Sequence, residues 1–210
     1  QWEKEFGIIV EQAEDEIAAV NMVLGAWYAG ARAMTSTSGG GFALMEEAVS
    51  MSGIGELPLV IHNAMRPGPG TGLPTRTEQG DLNLAMYAGH GDFPRVLLAP
   101  TSLESGVELG QKAFNIADKY QVPVIILSDA NYLSQSMNLG KVNLEENEYH
   151  VVESTEDYKR YQYTESGISP RSVPGYGKGL VKVDSDEHTE EGLITEDFDV
   201  RIKMMDKRMK

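Results

Sequence analysis

The sequence contains no cysteine among its 210 residues. That absence excludes disulfide bonds, a cysteine nucleophile and thiolate-ligated iron–sulfur clusters within this chain. No apolar run approaches the roughly 20 residues that a membrane-spanning helix needs, so we expect no membrane partner. Residues 1–4 also lack the basic-then-apolar pattern of a signal peptide, and a cytoplasmic protein is therefore expected.

Positive charge is scarce as well. Eighteen lysines and arginines stand against 32 aspartates and glutamates, which gives a formal net charge of −14. A nucleic-acid-binding protein usually carries a basic patch, whereas the basic cluster at residues 203–210 fits the positive end of a helix. We therefore expect no nucleic-acid partner. The hydrophobic fraction of 41% and the charged fraction of 24% are those of an ordinary globular protein.

Short β-like runs alternate with helical patterns over residues 1–137, which we interpret as one α/β domain. The predicted strands are residues 7–10, 33–37, 58–62, 95–98 and 122–127, and the predicted helices are residues 13–31, 42–51 and 103–120. This alternation predicts a doubly wound, mainly parallel sheet with helices on both faces. Sheets of this kind bind ligands beyond the carboxyl ends of their strands.

Residues 138–210 have a different character and are predicted to form an extension that covers the domain or a partner. Residues 142–174 are polar, rich in Glu and Tyr, and weakly periodic. Residues 181–184 are a further candidate strand, and Thr195 is the predicted N-cap of a final helix. The apolar residues of that helix are Phe198, Ile202, Met205 and Met209.

Glu16 and a glycine-rich turn are the first two candidates for chemistry. Glu16 opens a helix of small residues, where a glutamate is also favoured simply by the helix dipole. The turn at residues 35–41 reads Thr-Ser-Thr-Ser-Gly-Gly-Gly, and its glycines would let backbone amides approach a ligand. The spacing fits neither a Walker A loop nor a dinucleotide fingerprint.

The third candidate is the Pro/Gly-rich loop at residues 63–75, which contains Arg66, Thr71 and Thr75. Its composition excludes a regular helix or strand, and long ordered loops in compact domains are often functional. An arginine held near hydroxyl groups suits a carboxylate, because the planar guanidinium donates two parallel hydrogen bonds. For Arg66 taken alone, a surface arginine on a structural loop is the alternative.

Together these residues resemble a known family. Glu16 with its small-residue helix, followed by Thr-Ser-Gly-Gly-Gly at residues 37–41, resembles the pyrimidine-binding domain of thiamine-diphosphate enzymes, whose turn commonly reads Thr-Ser-Gly-Pro-Gly. The run at residues 66–82 resembles the alpha subunit of 2-oxoacid:ferredoxin oxidoreductases, most of all the 2-oxoglutarate type. Residues 11–16 and 167–171 resemble that family too, so the resemblance covers nearly the whole chain.

The resemblance implies a site for thiamine diphosphate and a 2-oxoacid. Glu16 would form a hydrogen bond with the pyrimidine nitrogen N1′, and it is the one residue to which the resemblance gives a catalytic role. The implied cofactor contacts are Glu16, Thr37, Ser38, Gly39 and Gly40. Arg66, assisted by Thr71 and Thr75, would bind the substrate carboxylate. The implied reaction is the coenzyme A-dependent oxidative decarboxylation of a 2-oxoacid, with electrons passed to ferredoxin.

The same resemblance implies partner chains. The superfamily holds the diphosphate and its Mg²⁺ with a Gly-Asp-Gly motif, which the nearest run, residues 89–92, does not match. We therefore expect the diphosphate and Mg²⁺ on a beta-type subunit and no metal site in this chain. Because cysteine is absent, the iron–sulfur clusters are expected on a further subunit or on ferredoxin.

Two family features are missing, a Tyr-Pro-Ile-Thr-Pro opening segment and a following α/β domain, so we expect a fragment of a longer protein. Two other functions stay open. One is the pyrimidine-domain subunit of a non-oxidative thiamine-dependent decarboxylase or transferase, which would not need the run at residues 66–75. The other is a non-catalytic module that has kept the fold, because fold alone does not imply function.

Overall fold

The structure is a computed structural model that describes residues 3–210. Four strands, β1 (Thr35–Thr37), β2 (Leu59–Met65), β3 (Val96–Leu98) and β4 (Pro123–Asp129), form one parallel sheet in the order β1-β2-β4-β3. All seven residues of β4 are buried. Successive side chains of a strand point to opposite faces, so both faces of the sheet are covered at β4. The predicted α/β class with a parallel sheet is confirmed.

Eight helices accompany the sheet in the described part of the chain. They are α1 (Glu3–Phe6), α2 (Glu16–Tyr28), α3 (Gly39–Leu44), α4 (Glu46–Gly55), α5 (Leu82–Met86), α6 (Leu103–Tyr120), α7 (Ala130–Leu133) and α8 (Phe198–Arg208). The first seven lie within residues 3–137, and α8 lies in the extension. Helix α2 buries Val20, Val23, Leu24 and Trp27 in the core, whereas Ile17 in its first turn is half exposed.

Helix α6 shows how local sequence fixes an element. Ser102 and Ser105 form a reciprocal capping box at its start, and Gln121 ends it in the left-handed conformation with φ 56°. The helix therefore runs over the residues predicted for it. Ala113 and Ala117 lie buried against the sheet, whereas Val107 is exposed.

Two predictions about local structure in residues 3–137 were wrong. Residues 7–10 form no strand, and Ile8, Ile9 and Val10 are exposed. A β-like run forms a strand only where a neighbour can accept its backbone hydrogen bonds. The helix predicted at residues 42–51 is two helices, α3 and α4, which meet at Met45.

The extension, residues 138–210, is mostly irregular, with isolated bridges and helix α8. Residues 181–184 form no strand, and the carbonyl of Val181 accepts a hydrogen bond from the Tyr28 hydroxyl. Helix α8 is capped by Asp197 rather than Thr195, since the Asp197 carboxylate accepts from the amides of the next turn. Met204 is buried, while Phe198 is exposed. Within residues 3–210, no helix combines the length and the hydropathy that crossing a bilayer would require.

Candidate active site

The carboxyl ends of β1 and β2 lie side by side, because Thr37 pairs with Asn63 in the parallel register. Ser38 follows Thr37 in extended conformation, and α3 then begins at Gly39. The loop that contains Arg66 starts directly after β2. Strand register alone therefore brings the glycine turn and the arginine loop to the same edge of the sheet.

Each of the three glycines of the turn packs against a different functional side chain. A Cβ atom at Gly39 would collide with the Asp81 carboxylate, and one at Gly40 would lie 3.2 Å from Nη2 of Arg66. At residue 41 a Cβ would overlap the Thr37 hydroxyl and lie 2.7 Å from Oε1 of Glu16. Residues 39 and 41 need glycine because neighbouring side chains occupy the space that a Cβ atom would fill, whereas the contact at Gly40 is with the flexible end of Arg66.

A cavity of about 590 Å³ opens over this turn. Glu16 and Arg66 both line it, together with Thr71, Asp81 and Leu84. A carboxylate and a guanidinium thus share one cleft, separated by the glycine turn. The cavity could hold a polar ring beside the acid and an anion beside the arginine.

The predicted site residues divide into two groups. Those that line the cavity are Glu16, Gly39, Gly40, Arg66 and Thr71. Thr37 and Ser38 lie at the base of the turn and are not among the lining residues. Thr75 is exposed and also lies outside the lining set. The Leu73 amide bonds the Pro67 carbonyl and closes residues 67–73 into a turn that includes Thr71 and leaves Thr75 beyond it.

Sequence analysis missed Asn63, Asp81 and the contact made by Gly41. Asn63 is completely buried, and its Nδ2 donates to Oδ2 of Asp81 at 3.2 Å. Asn63 Oδ1 has no hydrogen-bond partner within residues 3–210. An asparagine inside an apolar strand, at residues 59–65, was the available signal, because a polar residue in a buried run usually has a specific task.

Two further groups of polar side chains involve residues of the strands. Gln79 donates to Asp129 at 2.6 Å, and this hydrogen bond, with a second from the Tyr132 amide, lowers the pKa of the Asp129 carboxyl. On β2, His62 bonds the hydroxyls of Ser36 and Ser128 at 2.8 and 2.7 Å. Burial lowers the pKa of His62, so the ring is neutral at pH 7 and ties three strands together. No catalytic role was predicted for His62, and this geometry assigns it a structural one.

The cavity has features that fit an aminopyrimidine and an acid. The glycine turn leaves a cradle without side chains, Glu16 lines it, and Arg66 Nε is buried with no hydrogen-bond partner in the described chain. Buried donors usually have partners, so the Arg66 Nε favours a bound acceptor at this place. Across residues 3–210, no cluster of three or more His, Asp or Glu side chains could hold a metal ion.

An acid and an arginine on either side of a glycine turn, at the carboxyl edge of a parallel sheet, define a ligand-binding α/β protein. Residues 1–207 match the family described as pyruvate flavodoxin/ferredoxin oxidoreductase, thiamine diphosphate-binding. The chain belongs to this family. The resemblance drawn from the sequence is thereby confirmed at the level of the family and of its fold.

Individual relatives agree with this assignment. The chain is 46% identical over 211 residues to subunit alpha of 2-oxoacid:ferredoxin oxidoreductase 1 from Sulfurisphaera tokodaii, with 97% of this chain and 33% of the relative covered. It is 41% identical over 182 residues to the 2-oxoglutarate synthase subunit KorA of Archaeoglobus fulgidus, with 83% and 53% covered.

A solved structure is similar throughout this chain. It is the 2-oxoglutarate:ferredoxin oxidoreductase of Magnetococcus marinus with 2-oxoglutarate, coenzyme A and succinyl-CoA bound. The TM-score is 0.92 at 38% identity, covering 99% of this chain and 37% of that one. The chain thus spans about a third of the length of the first relatives it matches.

Proposed function

We propose that this chain forms the pyrimidine-binding part of the alpha component of a 2-oxoacid:ferredoxin oxidoreductase, with 2-oxoglutarate as substrate. The observation that carries the proposal is the single cavity shared by Glu16 and Arg66. The relatives described above, which carry oxidoreductase or synthase names, support the oxidative reaction. They give no support to the non-oxidative alternative. The cytoplasm remains the expected location.

In this proposal the residues of the chain bind and orient. When bound, thiamine diphosphate supplies the carbon nucleophile for decarboxylation. Glu16 holds a proton at the pyrimidine nitrogen N1′, in the cradle that the glycine turn leaves open. Arg66 receives the substrate carboxylate, which satisfies its buried Nε, and the Thr71 hydroxyl lines the same wall. Thr75, exposed on the same loop, is kept as an additional candidate contact.

The proposal includes partner chains. Four apolar side chains that line the cavity or lie within two residues of its lining are about half exposed: Ile17, Leu44, Leu73 and Leu82. An exposed apolar rim around a polar cleft is typical of an interaction surface. We propose that a beta-type subunit covers this rim and brings the diphosphate and Mg²⁺ site. Iron–sulfur clusters would lie on that or a further subunit, because this chain has no cysteine.

The test uses the complete enzyme with its partner subunits. Glu16→Gln is expected to lower 2-oxoglutarate-dependent viologen reduction by at least about 100-fold, as loss of a positioned proton-transfer group does. Its matched control is Glu14→Gln, at an exposed acid two residues earlier and before the helix begins, which should leave activity within about twofold.

Arg66→Ala should raise the KM for 2-oxoglutarate much more than it weakens thiamine diphosphate binding. Arg76→Ala, at an exposed arginine ten residues further along the chain, is the control. Full activity in Glu16→Gln would refute the role given to Glu16. Equal losses of substrate and cofactor binding in Arg66→Ala would make that arginine structural.

A further inference from the structure

Asp81 is the cavity-lining acid that the proposed function does not use. Its carbonyl accepts the Ala85 amide and starts helix α5, but its carboxylate makes no capping hydrogen bond to that helix. An aspartate at the N-cap of a helix ordinarily uses its carboxylate for the first free amides. At this position the carboxylate is directed elsewhere.

The Asp81 carboxylate contacts two parts of the site at once. Its Oδ2 accepts from Nδ2 of Asn63 at 3.2 Å, and Asn63 is completely buried in β2. The same carboxylate packs against Gly39, where no Cβ atom fits. The next glycine, Gly40, packs against Arg66. The Asp81 carboxylate and the Arg66 guanidinium therefore contact adjacent glycines of the same turn.

Polar tethers also hold the end of the loop that contains Arg66. Residues 68–80 of this loop are all exposed, so apolar packing contributes little to its position. Gln79 donates to Asp129 at the end of β4, and Asp81 bonds Asn63 in β2. Both tethers connect the far end of the loop to the carboxyl edge of the sheet.

We infer that Asp81 is a positioning residue that holds the Arg66 loop against the glycine turn and so sets the separation between Arg66 and Glu16. This inference rests on the proposed function. Loss of the Asp81 carboxylate would release the loop and misplace the substrate carboxylate. Thiamine binding would change little, because Glu16 lies against Gly41 rather than against Gly39.

The experiment compares Asp81→Ala, Asp81→Asn and the control Glu78→Ala in the complete enzyme. Glu78 is an exposed acid three residues earlier in the same loop. Three quantities are measured: KM and kcat for 2-oxoglutarate, the Kd of thiamine diphosphate by calorimetry, and amide hydrogen exchange of residues 66–81. Asn63→Leu, which removes the donor at similar side-chain size, is the second route if Asp81→Ala fails to assemble.

Asp81→Ala is expected to raise KM at least about 10-fold, because small displacements of a binding group are costly. Its kcat should fall as well, because a misplaced substrate carboxylate reacts more slowly. Its thiamine diphosphate Kd should stay within about threefold of the wild type, and amide exchange in the loop should be faster. Asp81→Asn should have a KM close to that of the wild type, because its amide oxygen can still accept a hydrogen bond from Asn63. Glu78→Ala should match the wild type.

A KM and a loop exchange rate for Asp81→Ala equal to those of Glu78→Ala would overturn the inference. Parallel losses of substrate and thiamine binding would overturn it too, because they would indicate collapse of the whole site. If the wild-type complex oxidises no 2-oxoacid, the proposed function fails instead. The exchange data would then still decide whether Asp81 holds the loop.

Discussion

Residues 3–137, the sheet region, and the extension bury different kinds of side chain. The sheet region buries a core of aliphatic and aromatic residues on both faces of β4. In the extension, as far as the structure describes it, Tyr161 and Met204 are the only buried apolar side chains. Its buried polar and charged residues are Ser154, Arg160, Ser169, Arg171, Ser172, His188, Lys207 and Arg208. One region is held mainly by apolar packing and the other mainly by paired polar groups.

The buried charges of the extension bind to specific groups of the sheet region. Lys207 bonds both carboxylate oxygens of Glu56 at 2.6 and 2.5 Å, and Arg171 bonds the carboxylate of Asp118. Arg160 donates to the backbone carbonyl of Glu56 at 2.5 Å. Apolar packing tolerates small changes of volume, whereas a buried charge requires its partner. The extension therefore binds the sheet region in one defined orientation.

Loss of the Lys207–Glu56 pair should be the most damaging change. Lys207→Met leaves the Glu56 carboxylate buried without a counter-charge, and we expect the free energy of unfolding to fall by about 3–5 kcal/mol in denaturant titrations. Glu56→Gln combined with Lys207→Met should recover much of the loss, because the uncompensated charge is gone. Lys203→Met, at an exposed lysine of the same helix, should change stability by less than about 0.5 kcal/mol. If Lys207→Met lowered the free energy of unfolding no more than Lys203→Met does, the distinction between the two regions would be contradicted.

Truncation in the sheet region should have a smaller, graded effect. Ile125→Val deletes one methylene from a completely buried side chain of β4 and should cost about 0.5–1.5 kcal/mol. Ile9→Val makes the same change at a side chain that is 83% exposed and should be neutral. The two variants are compared by the same denaturant titrations. A loss at Ile125 as large as that in Lys207→Met would contradict the distinction between the two regions.

The smallest expected effect concerns Gln79 and Asp129, a polar tether within the sheet region. The folded-state pKa of Asp129 is lowered, so its contribution to stability is present above about pH 4, the unfolded value, and is lost as pH falls through the folded value. Gln79→Leu should reduce the difference in unfolding free energy between pH 7 and pH 3. The effect is partial because the Tyr132 amide still donates. The control is Gln135→Leu, at an exposed glutamine. If the pH dependence of stability were the same in the Gln79→Leu and Gln135→Leu variants, Gln79 would not lower the pKa of Asp129.

Periodicity and apolar runs predicted the sheet region well. Helix α6 has the predicted bounds because its caps and its amphipathic pattern agree, and β4 is a continuous apolar run. Residues 7–10 have a similar β-like composition but find no strand partner. The extension was harder to predict, because buried charges such as Arg171 look in sequence like solvent-exposed ones. Their partners, such as Asp118, lie far away along the chain.

The site was predictable only where its residues are close in sequence or match a family pattern. Glu16, the glycine turn and Arg66 were identified in this way. The bond between Asn63 and Asp81 joins residues 18 positions apart and has no periodic signal. Thr71 and Thr75 look equivalent in sequence, and only the turn closed by Leu73 distinguishes them.

The three adjacent glycines allow different parts of this site to be perturbed by different mutations. An added methyl group would press on Asp81 at residue 39, on Arg66 at residue 40, and on Thr37 and Glu16 at residue 41. Under the proposed function, alanine at these three positions would perturb the loop, the substrate contact and the cofactor contact to different degrees. A change of substrate preference that spares the cofactor would then begin at residue 40 and leave residue 41 unchanged.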